Sequence, residues 1–298
     1  GGINEGTSRY NFLYGGKSAG SEDIKALIRD LSYNPFVKGL LLRINSPGGS
    51  LVASDQIYHA IQKFKATGRP VYASLGNLAA SGGYYIALAA DKIYASSGTL
   101  TGSIGVISSY QNRESFNRLF GFDTHQYKTG KHMGLGSRAY RMTDETRQMI
   151  QSYQDEKYEV FVDRVTSNRP LSRDEAIDVA QGQLFTGQQA QDLLLVDELA
   201  DFYTAAKDLA KVAKVKGDLN LKYYRIARHL ELPAVPGLTG MAAAAAINAE
   251  KAESELPIHL PLLLPVDLPL DLPVDLPTLP FGSSASELTG DLGSDTFR

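Results

Sequence analysis

The sequence predicts an α/β fold built from consecutive βα units on a parallel sheet. Two stretches carry that expectation. Gly39-Leu-Leu-Leu-Arg-Ile-Asn45 reads as a buried parallel strand, and it runs into Ser46-Pro47-Gly48-Gly49-Ser50 and then a helical pattern over Leu51–Ala66. About thirty residues on, the order repeats: an apolar strand from Pro70 to Leu75, a turn at Asn77-Leu-Ala-Ala-Ser81, and a helix from Gly82 to Ala90. Turns that follow neighbouring parallel strands lie at one edge of a sheet, where ligands bind.

Taken in order, residues 1–21 are rich in Gly, Ser and Asn and read as loop. Glu22–Ser32 is a short helix that Ser21 could cap, and Asn34-Pro35 ends it. After the two βα units, Asp91–Ala95 reads as a short strand. Ser115–Phe120 is helical, Phe122–Tyr127 is strand-like, and Lys128–Arg141 is a loop without periodicity. Thr143 followed by Asp144 and Glu145 has the form of a capped helix start, and the helix extends to about Asn168 with Met149, Tyr153, Val160 and Phe161 near one face. Leu171–Leu209 holds two or three further helices with a break near Val196-Asp197.

Beyond about residue 230 the composition changes. Met241–Glu255 is Ala-rich and helical in pattern. Leu-Pro pairs then place proline at 257, 261, 265, 269, 273 and 277. Neither an α-helix nor a central strand accepts that spacing, so an extended, polyproline-like segment outside the core is expected. Its leucines could touch a membrane surface or a partner, and Ser283–Arg298 reads as a polar, flexible end. The sequence therefore divides into a domain over 1–230 and an Ala-rich, Leu-Pro extension over 231–298.

Composition limits the function classes. A net charge of −3 with no basic stripe gives no reason to expect nucleic acid as a partner. The absence of cysteine excludes disulfides and thiolate-bound metal. No His/Asp/Glu spacing suggests a metal site, and no cofactor is expected. No run of about eighteen apolar residues reads as a membrane span, and no signal peptide is seen. The chain begins Gly1-Gly2-Ile3 without methionine, which reads as a processed chain or a fragment with something upstream.

The chemistry centres on Ser81. A strand–turn–helix context sets its hydroxyl at a helix N-terminus, where outward N–H groups and the dipole favour negative charge. A serine becoming an alkoxide and a carbonyl becoming an oxyanion both suit that location. The plainer reading is a capping serine beside turn glycines. The Ser46–Ser50 turn at the same sheet edge could supply an oxyanion donor.

The runs Arg43-Ile-Asn-Ser-Pro-Gly-Gly-Ser50, Ala79-Ala-Ser-Gly-Gly-Tyr-Tyr85 and Thr99-Leu-Thr-Gly-Ser-Ile-Gly-Val106 resemble the signal peptide peptidase A (protease IV) family of S49 serine peptidases. So do Ala180-Gln-Gly-Gln-Leu-Phe-Thr-Gly187, Leu195-Val-Asp-Glu-Leu199 and Leu221-Lys-Tyr-Tyr224. The resemblance covers about residues 2–224. It implies a Clp protease/crotonase-like spiral of βα units, a first strand ending at Gly2-Ile3, a helical C-terminal part and an irregular Pro-rich tail. It also implies a Ser/Lys dyad with Ser81 as nucleophile, an oxyanion hole from the N–H groups of Gly82 and of Gly48 or Gly49, and Ser103 orienting the lysine. The plainer reading of Ser103 is an ordinary turn serine.

The family's lysine loop aligns with Tyr127-Lys128-Thr129-Gly130-Lys131-His132-Met133, which sets Met133 where the lysine is expected. Three accounts follow. This chain resembles the carboxy-terminal half of a tandem form whose amino-terminal half supplies the lysine; or Lys131 or Lys128 reaches Ser81; or the chain is a silent, peptide-binding relative or a disarmed variant. His125 and His132, with Asp123, read as loop residues rather than a Ser-His pair, and Asp91 reads as a helix cap or stop. A crotonase-type acyl-coenzyme A enzyme shares the implied fold, but Gly39–Arg113 holds no glutamate. The family further implies apolar peptide substrates such as cleaved signal peptides, a homo-oligomer, and attachment to the bacterial inner membrane through a segment not in this chain, facing the periplasm.

Overall fold

In a computed structural model, the structure describes residues 1–11, 16–216, 219, 221–224 and 229–231. By contacts the chain divides into two units, 1–247 and 248–298. The Ala-rich stretch, the Leu-Pro repeat and the polar end expected from sequence lie outside the described residues.

The first unit opens with β1 (Gly2–Asn4), β2 (Arg9–Asn11) and β3 (Gly16–Gly20), then α1 (Ser21–Tyr33). The two βα units follow as β4 (Leu40–Ser46) with α2 (Leu51–Lys65), and β5 (Val71–Ala80) with α3 (Gly82–Ala87). Next come β6 (Lys92–Ala95), β7 (Leu100–Gly102), α4 (Glu114–Leu119), α5 (Asp144–Asn168) and α6 (Arg173–Val179). The series closes with β8 (Leu184–Thr186), α7 (Gly187–Asp192), β9 (Glu198–Leu199), α8 (Phe202–Val212) and β10 (His229–Glu231).

The main sheet runs β8-β7-β5-β6-β9, with β4 also paired to β5. Every pairing in it is parallel except β7 with β8. This is the parallel α/β architecture read from the sequence, of Clp protease type. Of a smaller sheet, β1-β3-β2-β10, only the first strand was expected, at Gly2-Ile3 from the family resemblance.

β5 organises the main sheet. Its first half pairs with β4 (Leu40↔Val71 to Ile44↔Leu75) and with β6 (Tyr72↔Lys92); its last residues pair with β7 (Ala79↔Thr101, Ala80↔Gly102). The strand is longer than the Pro70–Leu75 expected. Leu78, Ala79 and Ala80 continue it to the turn, and Ala79 and Ala80 are buried between β4 and β7. Between Ile44↔Leu75 and Ser46↔Ala79 the β5 side carries extra residues, and Asn45 Oδ1 accepts the Leu78 N–H there at 3.1 Å. Such a bulge re-aims a strand next to a site.

The helices follow their sequence signals closely. Ser50 caps α2, its Oγ accepting the Ala53 N–H at 3.2 Å, and Lys63 and Lys65 complement the dipole at the far end. Ala53, Ser54, Ile57, Tyr58, Ile61 and Phe64 form its buried face at helical spacing. Thr143 caps α5 as expected. The buried face of α5 differs from expectation: Ile150, Phe161, Val162 and Val165 point inward, whereas Tyr153 and Val160 are exposed. α5 is largely polar, and apart from Ile150 its buried side chains all lie in its C-terminal half.

Three smaller expectations are corrected. Gly20 holds the N-cap position of α1, and the Ser21 hydroxyl donates to Gln56 Oε1 at 2.8 Å instead. Phe122–Tyr127 forms no strand; it is exposed and lacks a strand to pair with among the described residues. Asp91 starts β5 rather than capping a helix: its Oδ2 accepts the Val71 N–H at 2.8 Å and its Oδ1 pairs with Lys65 at 2.9 Å. The C-terminal end of α1 is closed by Arg69, whose Nη1 donates to the carbonyls of Leu31, Asn34 and Val37 while its guanidinium lies over the Phe64 ring.

Candidate active site

β5 delivers the chain from the middle of the sheet straight into Ser81. There the backbone takes φ 50° and ψ −121°, a combination that L-residues rarely adopt. Three hydrogen bonds over-determine the turn. The Ser81 N–H donates to the Gly102 carbonyl at 2.8 Å, the Ser81 carbonyl accepts the Tyr85 N–H at 2.9 Å, and the Tyr84 hydroxyl donates to the Leu195 carbonyl at 2.7 Å. Burial raises the Tyr84 hydroxyl well above the usual phenol range, so it stays a neutral donor.

Ser81 thus sits at the N-cap of α3, but its hydroxyl makes no capping bond. A capping serine has extended backbone and gives its oxygen to an N–H one turn on; Ser81 has neither feature. The geometry is that of a strained strand-to-helix turn that holds a hydroxyl clear of its own backbone.

The Ser46–Ser50 turn packs directly on this one. A Cβ on Gly48 would lie 2.8 Å from both the Gly82 nitrogen and the Ser81 Cβ, and one on Gly82 would overlap the Ser54 Oγ. Only glycine permits this approach. β1 straps the turn from outside: the Ile3 N–H donates to the Gly48 carbonyl and the Ser50 N–H to the Ile3 carbonyl, both at 2.8 Å. The Gly48 N–H is engaged by Ser46 Oγ at 3.1 Å. Among the described residues, the N–H groups of Gly49 and Gly82 have no hydrogen-bond acceptor.

Ser103 follows Gly102 as Ser81 follows its register partner Ala80, so the two serines directly follow adjacent parallel strands at the same sheet edge. Ser103 also has positive φ, 49°, and its N–H donates to the Gln183 carbonyl at 2.7 Å. The Gly182 N–H returns to the Ile104 carbonyl at 3.0 Å. The Gln181-Gly182-Gln183 stretch therefore prolongs the β7–β8 pairing and holds Ser103 in its turn.

The expected lysine loop lies elsewhere. Met133 is 62% exposed. Lys131 is 72% exposed and pairs with Glu145 at 2.6 Å, a bond that holds the Glu145 carboxyl below its ordinary range. His132 faces the same carboxylate at 3.7 Å, while Lys128, His125 and Asp123 are exposed. No lysine among the described residues hydrogen-bonds Ser81. An open hollow of about 380 Å³, lined by Tyr110 and Arg138 among others, belongs to the loop after β7 and includes none of the serine-turn residues. Among the described residues, no cluster of His, Asp or Glu could hold a metal ion, and no helix is long and apolar enough to cross a membrane.

Comparison with known proteins identifies the family. The family model of peptidase family S49 matches residues 63–216, just over half the chain, and that of Clp protease matches residues 17–97. The chain belongs to peptidase family S49. Among relatives of this S49 chain, it is 36% identical over 208 residues to Protease 4 of Salmonella typhi. It is 33% identical over 196 residues to a candidate signal peptide peptidase SppA of Enterococcus faecium, and 33% identical over 202 residues to the chloroplastic serine protease SPPA of Arabidopsis thaliana. These alignments cover 70%, 66% and 67% of this chain, but only 33%, 57% and 29% of the relatives.

Sequence reading located Ser81, Gly82, Gly48 and Ser103 at one sheet edge, and the fold brings all four there. It missed Ser46 and Ser54, whose hydroxyls line the contact between the two turns. It also missed Tyr85, which has both an apolar ring and a bonded hydroxyl. The signal for Ser54 was present: it is a polar residue on the otherwise apolar buried stripe of α2.

Proposed function

We propose that this chain carries the nucleophile half of an S49 serine endopeptidase acting on apolar peptides such as released signal peptides. The observation that carries the reading is Ser81: strained backbone, uncapped hydroxyl, and free N–H groups of Gly82 and Gly49 beside it. In this mechanism Ser81 Oγ attacks the scissile carbonyl while a neutral lysine takes its proton. The oxyanion is held by the Gly82 N–H and the Gly48–Gly49 turn, where Gly49 offers the free N–H and Gly48, bonded to Ser46, fixes the turn. The lysine returns the proton to the leaving amine, and water then hydrolyses the acyl-serine. Ser103, one strand over, orients the lysine amine.

A lysine acts as base only where burial keeps it neutral. Exposed, ion-paired Lys131 and exposed Lys128 do not meet that condition, and Met133 has no basic nitrogen. The lysine is therefore assigned to an amino-terminal half of the parent protein and membrane attachment to a segment outside this chain, with the catalytic face turned to the periplasm. The test assays peptide cleavage by this chain and by the full parent protein in membrane and soluble fractions, with a serine-directed phosphonate added from the periplasmic side. Activity in the parent's membrane fraction alone, blocked by the phosphonate, is expected. Serine-dependent cleavage by the short chain would return the base to Lys131 or Lys128. Silence in both would favour a peptide-binding role.

Self-association is the second part of the reading. The segment after β7 exposes Phe116, Leu119, Phe120 and Phe122, with the Phe116 and Phe120 ring centroids 4.6 Å apart. The two rings are tilted rather than parallel, and four exposed apolar side chains in one short segment are costly in water and suit burial against another copy. Phe116→Glu with Phe120→Glu should lower the mass measured by light scattering to that of a smaller assembly. An unchanged mass would remove this patch from the interface.

A further inference from the structure

The site leaves one polar cluster unused. α3 has six residues, too few to hold its own direction, so side-chain anchors must set where its N-terminus points. Tyr85 is fully buried on α3, and its N–H already fixes the Ser81 carbonyl. Its hydroxyl donates to Asp55 Oδ1 at 2.6 Å and accepts from Arg164 Nε at 3.0 Å. Arg164 closes the ring with Nη2 to Asp55 Oδ1 at 3.1 Å, and its guanidinium lies 4.6 Å over the Tyr58 ring. The Tyr85 ring packs edge-on against Phe161 and Tyr58. His59 borders the cluster, 3.4 Å from Asp55 Oδ2 and 3.2 Å from Arg164 Nη2.

The three partners come from three helices with distinct duties. Asp55 lies on α2, which begins at the Gly48–Gly49 turn. Tyr85 lies on α3, which begins at Ser81. Arg164 lies on α5, whose side chains touch both. Burial, and then the bond to Asp55, raise the Tyr85 hydroxyl above its ordinary range, so it remains a neutral donor and acceptor between the two charges. At the buried centre of the cluster the Tyr85 hydroxyl is satisfied from both sides, while the Asp55 and Arg164 side chains stay 33% and 28% exposed at its rim.

We propose that Asp55, Tyr85 and Arg164 are positioning residues that hold the nucleophile turn and the oxyanion turn at fixed separation. The brace acts through α2 and α3 and touches neither substrate nor reacting atoms. A misplacement of about 1 Å between nucleophile and oxyanion donors costs on the order of 100-fold in rate. The proposal rests on Ser81 being the nucleophile.

The test uses the full parent protein and measures the rate of Ser81 acylation by a small phosphonate, with peptide KM and thermal midpoint beside it. Tyr85→Phe keeps the ring and removes the hydroxyl. Arg164→Lys keeps the charge and removes the fork. Each should slow acylation by about 10- to 100-fold with peptide KM nearly unchanged, and the double variant should be little slower than either alone. Arg69→Gln, at the far end of α1, serves as the stability control and should lower the thermal midpoint without changing the acylation rate of the folded protein. Folded Tyr85→Phe and Arg164→Lys that acylate at the wild-type rate, or an Arg69→Gln that slows acylation equally, would overturn the positioning role. A wild-type parent that leaves Ser81 unlabelled would overturn the nucleophile assignment, and this role with it.

Discussion

Ser81→Ala in the lysine-bearing parent should abolish phosphonate labelling and lower peptide turnover by at least about 10⁴-fold. The fold should survive. The Ser81 hydroxyl makes no capping bond, so removing it costs α3 little. The sharper variant is Ser81→Gly. A backbone at φ 50° and ψ −121° costs an L-residue on the order of 1–3 kcal/mol, and glycine relieves most of that cost. Glycine's greater unfolded-state freedom offsets about 0.5–1 kcal/mol. Ser81→Gly should therefore be inactive yet more stable, by about 1 kcal/mol or roughly 2–4 °C in thermal midpoint. A residue kept for structure loses stability on removal; one held under strain for chemistry gains it. An inactive but destabilised Ser81→Gly would mean that the turn is not strained in the folded protein. In the short chain alone, Ser81→Ala should change turnover little, because the proposed base belongs to the amino-terminal half.

The two βα units were legible because their signals are local. Leu40–Ile44 is apolar but for Arg43, Pro47 and two glycines stop it, and a capping serine at position 50 starts a stripe of buried positions three and four apart. The serine turn was legible for the same reason. What failed was long-range. The first sheet joins Gly2–Asn4 to Gly16–Gly20, and Arg9–Asn11 to His229–Glu231, by strands of three to five residues. Strands that short have no readable period. β8 and β9 are shorter than the alternation that would reveal them, and they exist because β7 and β6 offer edges. The face of α5 was misread because Tyr153 and Val160 are apolar without being inward; only the half that meets α3 selects its side chains. At the site, sequence gave the residue types but not the hydrogen-bond state that separates Gly48 from Gly49. That depends on where the Ser46 hydroxyl points.

Gly48→Ala should be the most damaging single methyl at this edge. Its Cβ would meet the Gly82 nitrogen and the Ser81 Cβ at 2.8 Å and the Ala80 carbonyl at 2.9 Å. Two of these are backbone atoms and the third is fixed to the strained turn, so no flexible side chain can yield. The φ of +104° adds strain for any residue but glycine. Overpacking and backbone strain, at about 1–3 kcal/mol each, together cost roughly 3 kcal/mol and about 6–12 °C in thermal midpoint. The easiest escape is for the Ser46–Ser50 turn to move outward, which carries the Gly49 N–H away from Ser81 while β1 resists from behind. Loss of one oxyanion donor costs about 10²–10³-fold, so the acylation rate of the folded variant should fall by that factor. Gly68→Ala is the matched comparison. Its φ is +79°, but nothing lies within 4 Å of the added Cβ, so it should lose about 1 kcal/mol and keep its acylation rate. Were folded Gly48→Ala to acylate as fast as Gly68→Ala, the contact between the two turns would not govern the chemistry, and the oxyanion donors would have to be sought elsewhere on the sheet edge.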